Sequence, residues 1–285
     1  MINLLKTILF ITLFLLLISC GSTRKAVSKQ QPKNTIVTDT LPKISEIIVT
    51  TPEVIKSTKK QEEIKNSKLV IEKFNHSTFN ELLKNNVSDT GNTNYQGFID
   101  NKIIFKSYLT ALSENLPNDN WTKEDKLAYW MNVYNAFTIK LIIDNYPTKS
   151  IKNIKNAWDS RFFKLGEKWY NLSDVEHKIL RKMNDPRIHF GINCASFSCP
   201  PLLNRAFTAK TVNEDLEFLA HQFINDKTRN TISENNIQLS KLFKWYANDF
   251  KTYGTLIDYL NKYSEVTINK KAKKSFKTYD WSLNE

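Results

Sequence analysis

The chain has 285 residues, and its 41 Lys and Arg against 29 Asp and Glu give a net charge of +12. Basic charge can indicate a nucleic-acid or anionic-surface partner. Here Lys is spread through a sequence that is rich in Lys, Asn and Ile throughout, so the charge indicates compositional bias and solvated Lys side chains rather than nucleic-acid binding.

The first twenty residues have the features of a secretory signal. Lys6 supplies a positive start, and residues 8–18 form an apolar run that is too short for a membrane span. The run ends in Leu-Ile-Ser-Cys, which resembles the bacterial lipobox. We therefore predict a lipoprotein signal peptide at residues 1–19 and lipidation of Cys20. An ordinary secretory signal with a chance cysteine is the alternative.

This interpretation sets the compartment. The mature chain is expected outside the cytoplasm, held to a membrane by lipid on Cys20 on the periplasmic or the outer face. That location argues against nucleic acid, ATP and NAD as partners and permits disulfides. No cofactor and no metal is predicted.

The composition changes near residue 67. Residues 21–67 contain no Phe, Trp or Tyr, whereas every aromatic residue except Phe10 and Phe14 lies in residues 68–285. A segment without large apolar side chains cannot bury enough surface to offset its chain entropy. We predict a disordered tether through residue 67, with the lipidated cysteine at its start (20–67), and one globular domain at 68–285.

The first strong helical pattern begins at Thr122, an N-cap followed by acidic residues, and ends near Asn145. Apolar residues cover most sides of this helix, which predicts burial. Asn132 and Asn135 are then buried amides that need partners. Each either bonds neighbouring backbone or orients a catalytic group.

A hairpin is predicted at 162–172 with its turn at Gly166. Ser173 and Glu176 have capping-box spacing and open a helix that ends near Pro186. The predicted class is α+β, a helix-rich single domain with a small antiparallel sheet.

Alternation of apolar and polar residues then predicts a strand at 187–193, which would point Cys194 and His189 to opposite faces. Further helices are predicted where SCPPLLNRAF begins (198–207), at 211–225 and at 240–262.

The segment GINCASFSCPPLL contains Cys194 and Cys199, the only cysteines besides Cys20. A thiol attacks as the thiolate and needs a base or a positive field nearby. His177, in the first turn of a helix, is expected to stay neutral and to accept a proton. We predict Cys194 as nucleophile and His177 as base, with Glu176 or Asn135 orienting the imidazole.

Pro200 and Pro201 cannot donate hydrogen bonds, so an oxyanion would be held by backbone N–H groups nearer Cys194, such as those of Ala195 or Ser196. A thiol at a strand-to-helix corner that faces a histidine is the geometry of papain-like and transglutaminase-like enzymes. The histidine precedes the cysteine here, which requires a permuted chain order.

Four alternatives stay open. Cys194 is core filling, or Cys194 and Cys199 form a disulfide, exchange redox equivalents, or bind a metal with His177 and His189. In a non-catalytic scaffold or ligand-binding module, the cysteines would be structural. The side chains that would line its groove are Trp158, Trp169 and Trp245.

Five motifs read in order resemble a family of unknown function, DUF547. They are KLAYWMNVYNAFTIKLI (126–142), LSDVEHKILR (172–181), IHFGINCASFSCPPL (188–202), LSKLFKWYANDF (239–250) and YDWSLN (279–284). The resemblance covers most of residues 95–285. It implies that the Asn132–Asn135 helix, the Glu176–His177 pair and both late cysteines follow the family pattern.

The family occurs in bacterial secreted proteins and lipoproteins, and the resemblance implies no assigned activity. Taken with the residues, it leads us to expect a cell-envelope lipoprotein with a Cys–His site that acts on an amide or peptide bond, such as a peptide or cell-wall substrate.

Overall fold

Helices provide most of the regular structure. The computed structural model describes residues 73–252 and 254–285, so the predicted signal peptide, Cys20 and the tether lie outside the described residues. The α-helices are α1 (Ser77–Asn86), α2 (Tyr95–Asp100), α3 (Lys102–Glu114), α4 (Lys123–Asp144), α5 (Ile188–Gly191), α6 (Val212–Asn225), α7 (Leu242–Trp245) and α8 (Leu256–Leu260). A π-helix spans Asp174–Ile179, and 3-10 helices span Ile151–Asn153, Leu180–Met183 and Asp249–Lys251.

Helix α4 is the centre of the core. The Thr122 hydroxyl accepts the Asp125 N–H and the Asp125 carboxylate accepts the Thr122 N–H, which confirms the predicted start of the helix. Sixteen of its 22 residues are buried, against α2, α3, α6 and the segment from the π-helix to Met183. The apolar residues on all sides of this helix therefore predicted its burial correctly.

Two small sheets flank the helices. Strands β1 (Phe163–Leu165) and β2 (Lys168–Tyr170) form the predicted antiparallel hairpin, with Gly166 at φ +55° in its turn. Strands β3 (Thr231–Ile232), β4 (Asn236–Leu239) and β5 (Lys273–Phe276) form a second sheet, in which β3 and β4 are antiparallel and β4 and β5 are parallel. The fold is a helix-rich α+β structure, and its second sheet is mixed rather than antiparallel.

The strand predicted at 187–193 is wrong, because Ile188–Gly191 form one helical turn. The Asp185 carboxylate accepts the Arg187 N–H at 3.0 Å and so starts the turn. Gly191 lets the turn approach α4: a Cβ atom built on Gly191 would lie 2.1 Å from Cε of Met131. Alternation over so few residues did not separate a strand from a short helix.

The helix predicted to open at 198–207 is also absent, and this segment is irregular. Pro201 disfavours helical geometry at Pro200, and neither residue has an N–H to donate. The helix predicted at 211–225 is confirmed as α6.

The continuous helix predicted at 240–262 is broken into α7, the 3-10 turn Asp249–Lys251 and α8. Gly254 has φ +135°, and Thr255 then starts α8 with a new capping box. Within the part of the chain that the structure describes, no helix is both long enough and apolar enough to cross a membrane.

Candidate active site around Cys194

The loop between α5 and α6 carries both cysteines, and buried amide side chains hold it in place. The Asn135 side chain donates to the Gly191 carbonyl and accepts the Asn193 N–H, both at 2.9 Å. The Asn193 side chain donates to the Pro200 carbonyl at 2.8 Å. One residue of helix α4 therefore fixes the start of the cysteine loop, and Asn193 fixes its far end.

Asn132 has the same kind of role one turn earlier. Its side chain donates to the Phe207 carbonyl at 2.8 Å and accepts the Phe207 N–H at 3.0 Å. Neither Asn132 nor Asn135 contacts an imidazole. The backbone-bonding alternative is therefore the one that the structure shows, and Asn135 positions the cysteine loop rather than a histidine.

The residue after Cys194 has unusual backbone geometry. Ala195 has φ +58°, in the left-handed region that costs free energy for a residue with a Cβ atom. Its N–H donates to the Asn193 side chain at 2.7 Å, which stabilises this conformation. Strained backbone held in this way is concentrated at functional sites.

The two sulfur atoms are neighbours but are not bonded. Both cysteines are free, and their Sγ atoms lie 3.0 Å apart. Sγ of Cys194 also lies 3.1 Å from the Ser196 hydroxyl and 3.5 Å from the Tyr279 hydroxyl. Cys199 is buried, whereas Cys194 is partly exposed.

These contacts separate the acidities of the two thiols. The hydrogen bond from Cys199 lowers the pKa of Cys194 to about 7, with further lowering from Ser196 and Tyr279, against the opposing effect of burial. Burial and the adjacent Cys194 raise the pKa of Cys199 well above its usual value. Cys194 is therefore the more acidic of the two thiols, and Cys199 is the less acidic one.

The π-helix presents Glu176 and His177. Its predicted capping box does not form, because the Ser173 hydroxyl donates to Asp159 instead. The buried Glu176 carboxylate accepts the Tyr246 hydroxyl and, at 3.1 Å, the Tyr134 hydroxyl. π-Helical turns are rare and recur at functional sites.

His177 has its ring nitrogen Nδ1 occupied. The Arg181 guanidinium lies 3.3 Å from this nitrogen, and the Glu176 carboxylate lies 3.9 Å away. Arg can only donate, so Nδ1 of His177 is the acceptor and the proton of the neutral ring is on Nε2. The free nitrogen of His177 is therefore a donor.

His189 has the opposite arrangement. Its Nε2 lies 2.8 Å from the Asp249 carboxylate, which also accepts two hydrogen bonds from Arg181, at 2.7 and 2.8 Å. Burial alone would raise the pKa of Asp249, but the bonds from Arg181 and His189 hold it well below its usual value. An ionised carboxylate only accepts, so Nε2 of His189 donates and its Nδ1 has the free lone pair. The ring stacks on Tyr246 at 3.9 Å between centroids.

These groups line one cavity of about 370 Å³. Its polar side includes Cys194, Glu176, His177 and His189, and its other lining residues are Tyr134, Trp158, Ser173, Ile192, Cys199, Leu242, Trp245, Tyr246, Tyr279 and Trp281. An apolar, aromatic cavity with a few convergent polar groups is the usual form of a small-molecule or catalytic site.

The structure thus brings four of the five predicted site residues to one cavity and places Asn135 beneath it. Among the hydrogen-bond partners of Cys194 in the described residues, there is no imidazole. Of the proposed oxyanion donors, the Ala195 N–H already donates to Asn193, whereas the Ser196 N–H has no acceptor in the described part of the chain.

Sequence reasoning missed His189, Tyr246, Asp249 and Tyr279. His189 was set aside because the strand prediction pointed it away from Cys194, while the other three lie in the quoted motifs LSKLFKWYANDF and YDWSLN. Of the predicted groove tryptophans, Trp158 and Trp245 line the cavity with Trp281, and Trp169 does not. Residues 73–252 and 254–285 contain no group of three or more His, Cys, Asp or Glu side chains that could hold a metal ion.

Comparison with known proteins finds one family. Residues 118–224 match the family described as "Protein of unknown function, DUF547". No curated protein and no solved structure matches the chain. The matched residues include both cysteines, Glu176 and both cavity histidines, whereas Tyr246, Asp249 and Tyr279 lie beyond them. Residues 118–224 of this chain are therefore a DUF547 domain.

Proposed function

We propose that the chain is a cell-envelope lipoprotein whose Cys194 thiol acts on an amide or peptide bond. The observation that carries the proposal is the position of the Cys194 sulfur, beside Cys199 and Ser196, in a cavity that also contains an imidazole oriented by Asp249. A nucleophile, a base and a group that orients the base are the parts that covalent catalysis needs.

The geometry favours His189 over the predicted His177 as the base. Asp249 fixes Nε2 of His189 as a donor, which leaves Nδ1 to accept a proton, whereas Arg181 occupies the corresponding lone pair of His177. His177 is then suited to donate from Nε2 to a substrate oxygen. In this proposal, Asp249 has the orienting role that the sequence assigned to Glu176 or Asn135.

The reaction follows from these roles. His189 holds the proton that Cys194 loses, and the thiolate attacks the carbonyl carbon to form a C–S bond. The C–N bond breaks as His189 returns its proton to the leaving amine. Water, deprotonated by His189, then hydrolyses the thioester and restores the thiol.

The comparison with papain-like and transglutaminase-like enzymes depended on a strand-to-helix corner at Cys194. The cysteine lies in a loop between α5 and α6, so the proposal rests on side chains and not on that architecture.

p-Nitrophenyl acetate tests the roles directly. We expect the full chain to release nitrophenol with turnover, and Cys194→Ser to abolish both turnover and acetylation. His189→Asn should accumulate acetyl-Cys194, seen by mass spectrometry, because deacylation lacks its base. His177→Asn is the matched control and should retain deacylation.

The second candidate is a non-catalytic scaffold or ligand-binding module with structural cysteines. The aromatic wall of Trp158, Trp245 and Trp281 favours it, since such a wall can bind a ligand without chemistry. If Cys194 is acetylated only after denaturant is added, the scaffold or binding module is favoured over the enzyme.

The location is proposed from residues 1–20 alone. We expect mature protein to sediment with membranes and to carry acyl chains on Cys20. Cys20→Ala should release it from the membrane fraction, and a soluble wild-type protein would contradict the anchor.

A further inference from the structure

The arrangement of the two sulfur atoms has a consequence for the nucleophile. We propose that Cys194 and Cys199 are a resolving pair: a small-molecule disulfide is captured by Cys194 and displaced by Cys199, which leaves an internal Cys194–Cys199 disulfide and switches the site off. This regulation rests on the proposed function, but the disulfide itself can be tested without it.

Distance is the first support. The Sγ atoms are 3.0 Å apart, and a disulfide bond is about 2.05 Å long, so the sulfurs need to approach by only about 1 Å. Four residues separate the two cysteines, and the Asn193 side chain, just before this loop, already bonds the Ala195 N–H inside it and the Pro200 carbonyl just after it. Bond formation therefore needs no rearrangement of helices.

Exposure sets the order of the two attacks. Cys194 is partly exposed and lines the cavity, so a small disulfide can reach it. Cys199 is 6 % exposed, and its sulfur also accepts the Cys194 N–H at 3.0 Å and lies 3.9 Å from the Ile192 carbonyl. Both cysteines border the cavity, but Cys194 is the more exposed, so an external reagent meets Cys194 first and leaves Cys199 to attack the sulfur beside it.

The acidities of the two thiols indicate the same order, with Cys194 attacking before Cys199. A thiol with a pKa near the ambient pH attacks disulfides most effectively, and the pKa of Cys194 is lowered to about 7 by the Cys199 hydrogen bond. Burial and the adjacent Cys194 both raise the pKa of Cys199. A mixed disulfide on Cys194 removes the second of these effects, so the pKa of Cys199 falls and its thiolate becomes easier to form.

The chemistry balances. The Cys194 thiolate forms an S–S bond with one sulfur of the reagent RSSR and expels RS⁻. The Cys199 thiol gives its proton to solvent, its sulfur forms a bond with Sγ of Cys194, and the second RS⁻ leaves. Two protein thiols are oxidised and one reagent disulfide is reduced to two thiols. A reducing thiol reverses both steps.

The test uses the full chain with Cys20→Ser, so that only the two site thiols are counted. The protein is incubated with oxidised glutathione, free thiols are blocked with iodoacetamide, and intact and peptide masses are measured. We expect a loss of two hydrogens, a Cys194–Cys199 cross-linked peptide and no bound glutathione. Cys199→Ser should instead hold one glutathione on Cys194, and Cys194→Ser should stay unmodified.

Dithiothreitol should restore both thiols and the turnover of p-nitrophenyl acetate. A stable glutathione adduct on Cys194 of the parent protein, or two unmodified thiols after incubation, would overturn the inference.

The two proposals fail in different ways. If the internal disulfide forms but p-nitrophenyl acetate never acetylates the protein, the proposed enzyme activity is contradicted and the resolving pair is supported. If turnover continues after treatment with oxidised glutathione and no cross-link forms, the resolving pair is contradicted and the enzyme activity is supported.

Discussion

At the scale of single residues, two side chains of the same type acquire different chemistry from their neighbours. Sγ of Cys194 lies within hydrogen-bond distance of Cys199, Ser196 and Tyr279, and these contacts lower its pKa to about 7. Cys199 is buried, and burial and the adjacent Cys194 raise its pKa. Iodoacetamide reacts with thiolate, so the alkylation rate of Cys194 should rise with pH through about 7.

Removing the donor should return Cys194 to an ordinary thiol. Cys199→Ala raises the pKa of Cys194 towards the free value of about 8.5, so its alkylation at pH 7 should slow by about tenfold. Cys199→Ser keeps a donor in place and should slow it less. Equal rates for the parent protein and both variants would show that Cys199 does not set the acidity of Cys194.

At the scale of elements, the site depends on the hydrogen bonds by which helix α4 holds the cysteine loop. The Asn135 amide satisfies one carbonyl and one N–H of a buried backbone that has no other partner for them. Its loss would leave both groups buried and unpaired, and each such group costs about 1–3 kcal/mol.

Asn135→Ala should therefore lower the free energy of unfolding by about 2–6 kcal/mol, measured by urea denaturation. It should also bring the alkylation rate of Cys194 closer to that of a free thiol, because helix α4 no longer holds the cysteine loop in place. Asn145→Ala is the control, since the Asn145 side chain bonds only the Leu141 carbonyl at the exposed end of the same helix. Similar losses for both variants would contradict a special role for Asn135.

At the scale of the whole molecule, the cavity joins distant parts of the chain. The last residues run beside the cysteine loop: the Phe197 N–H donates to the Ser282 carbonyl, and the Tyr279 hydroxyl reaches Ser196. Buried Asn284 also donates to Asn193. The site therefore requires residues well beyond the matched DUF547 segment.

Deleting residues 279–285 should lower the melting temperature and expose Cys194 to alkylating reagents of any size, measured by calorimetry and by reaction rates. Deleting residues 21–67 is the comparison. The sequence predicts that this segment adds nothing to the core, so its removal should leave the melting temperature unchanged. A stable protein without its last seven residues would show that they are not part of the domain.

Elements with a local sequence signal were predicted correctly, whereas features that depend on contacts between distant residues were not. The helix from Thr122 and the hairpin around Gly166 have local signals, a capping box and a turn glycine, and the structure confirms both. The short turn at Ile188–Gly191 has no such signal beyond Asp185, and the strand prediction there misplaced His189. Tyr246 and Asp249 could have been candidates only as members of a motif, because nothing local ties them to Cys194.

The sequence by itself determined the helix-rich α+β class, the family resemblance and the central helix, and it singled out Cys194 as the candidate nucleophile. These follow from periodicity and from residue types that act on their immediate neighbours. Only the tertiary structure decided which histidine nitrogen faces a carboxylate, which carboxylate that is, and which of the two thiols is the more acidic. Those properties depend on contacts between Cys194, Cys199, His189, Asp249 and Tyr279, and local sequence patterns do not encode distances between residues so far apart in the chain.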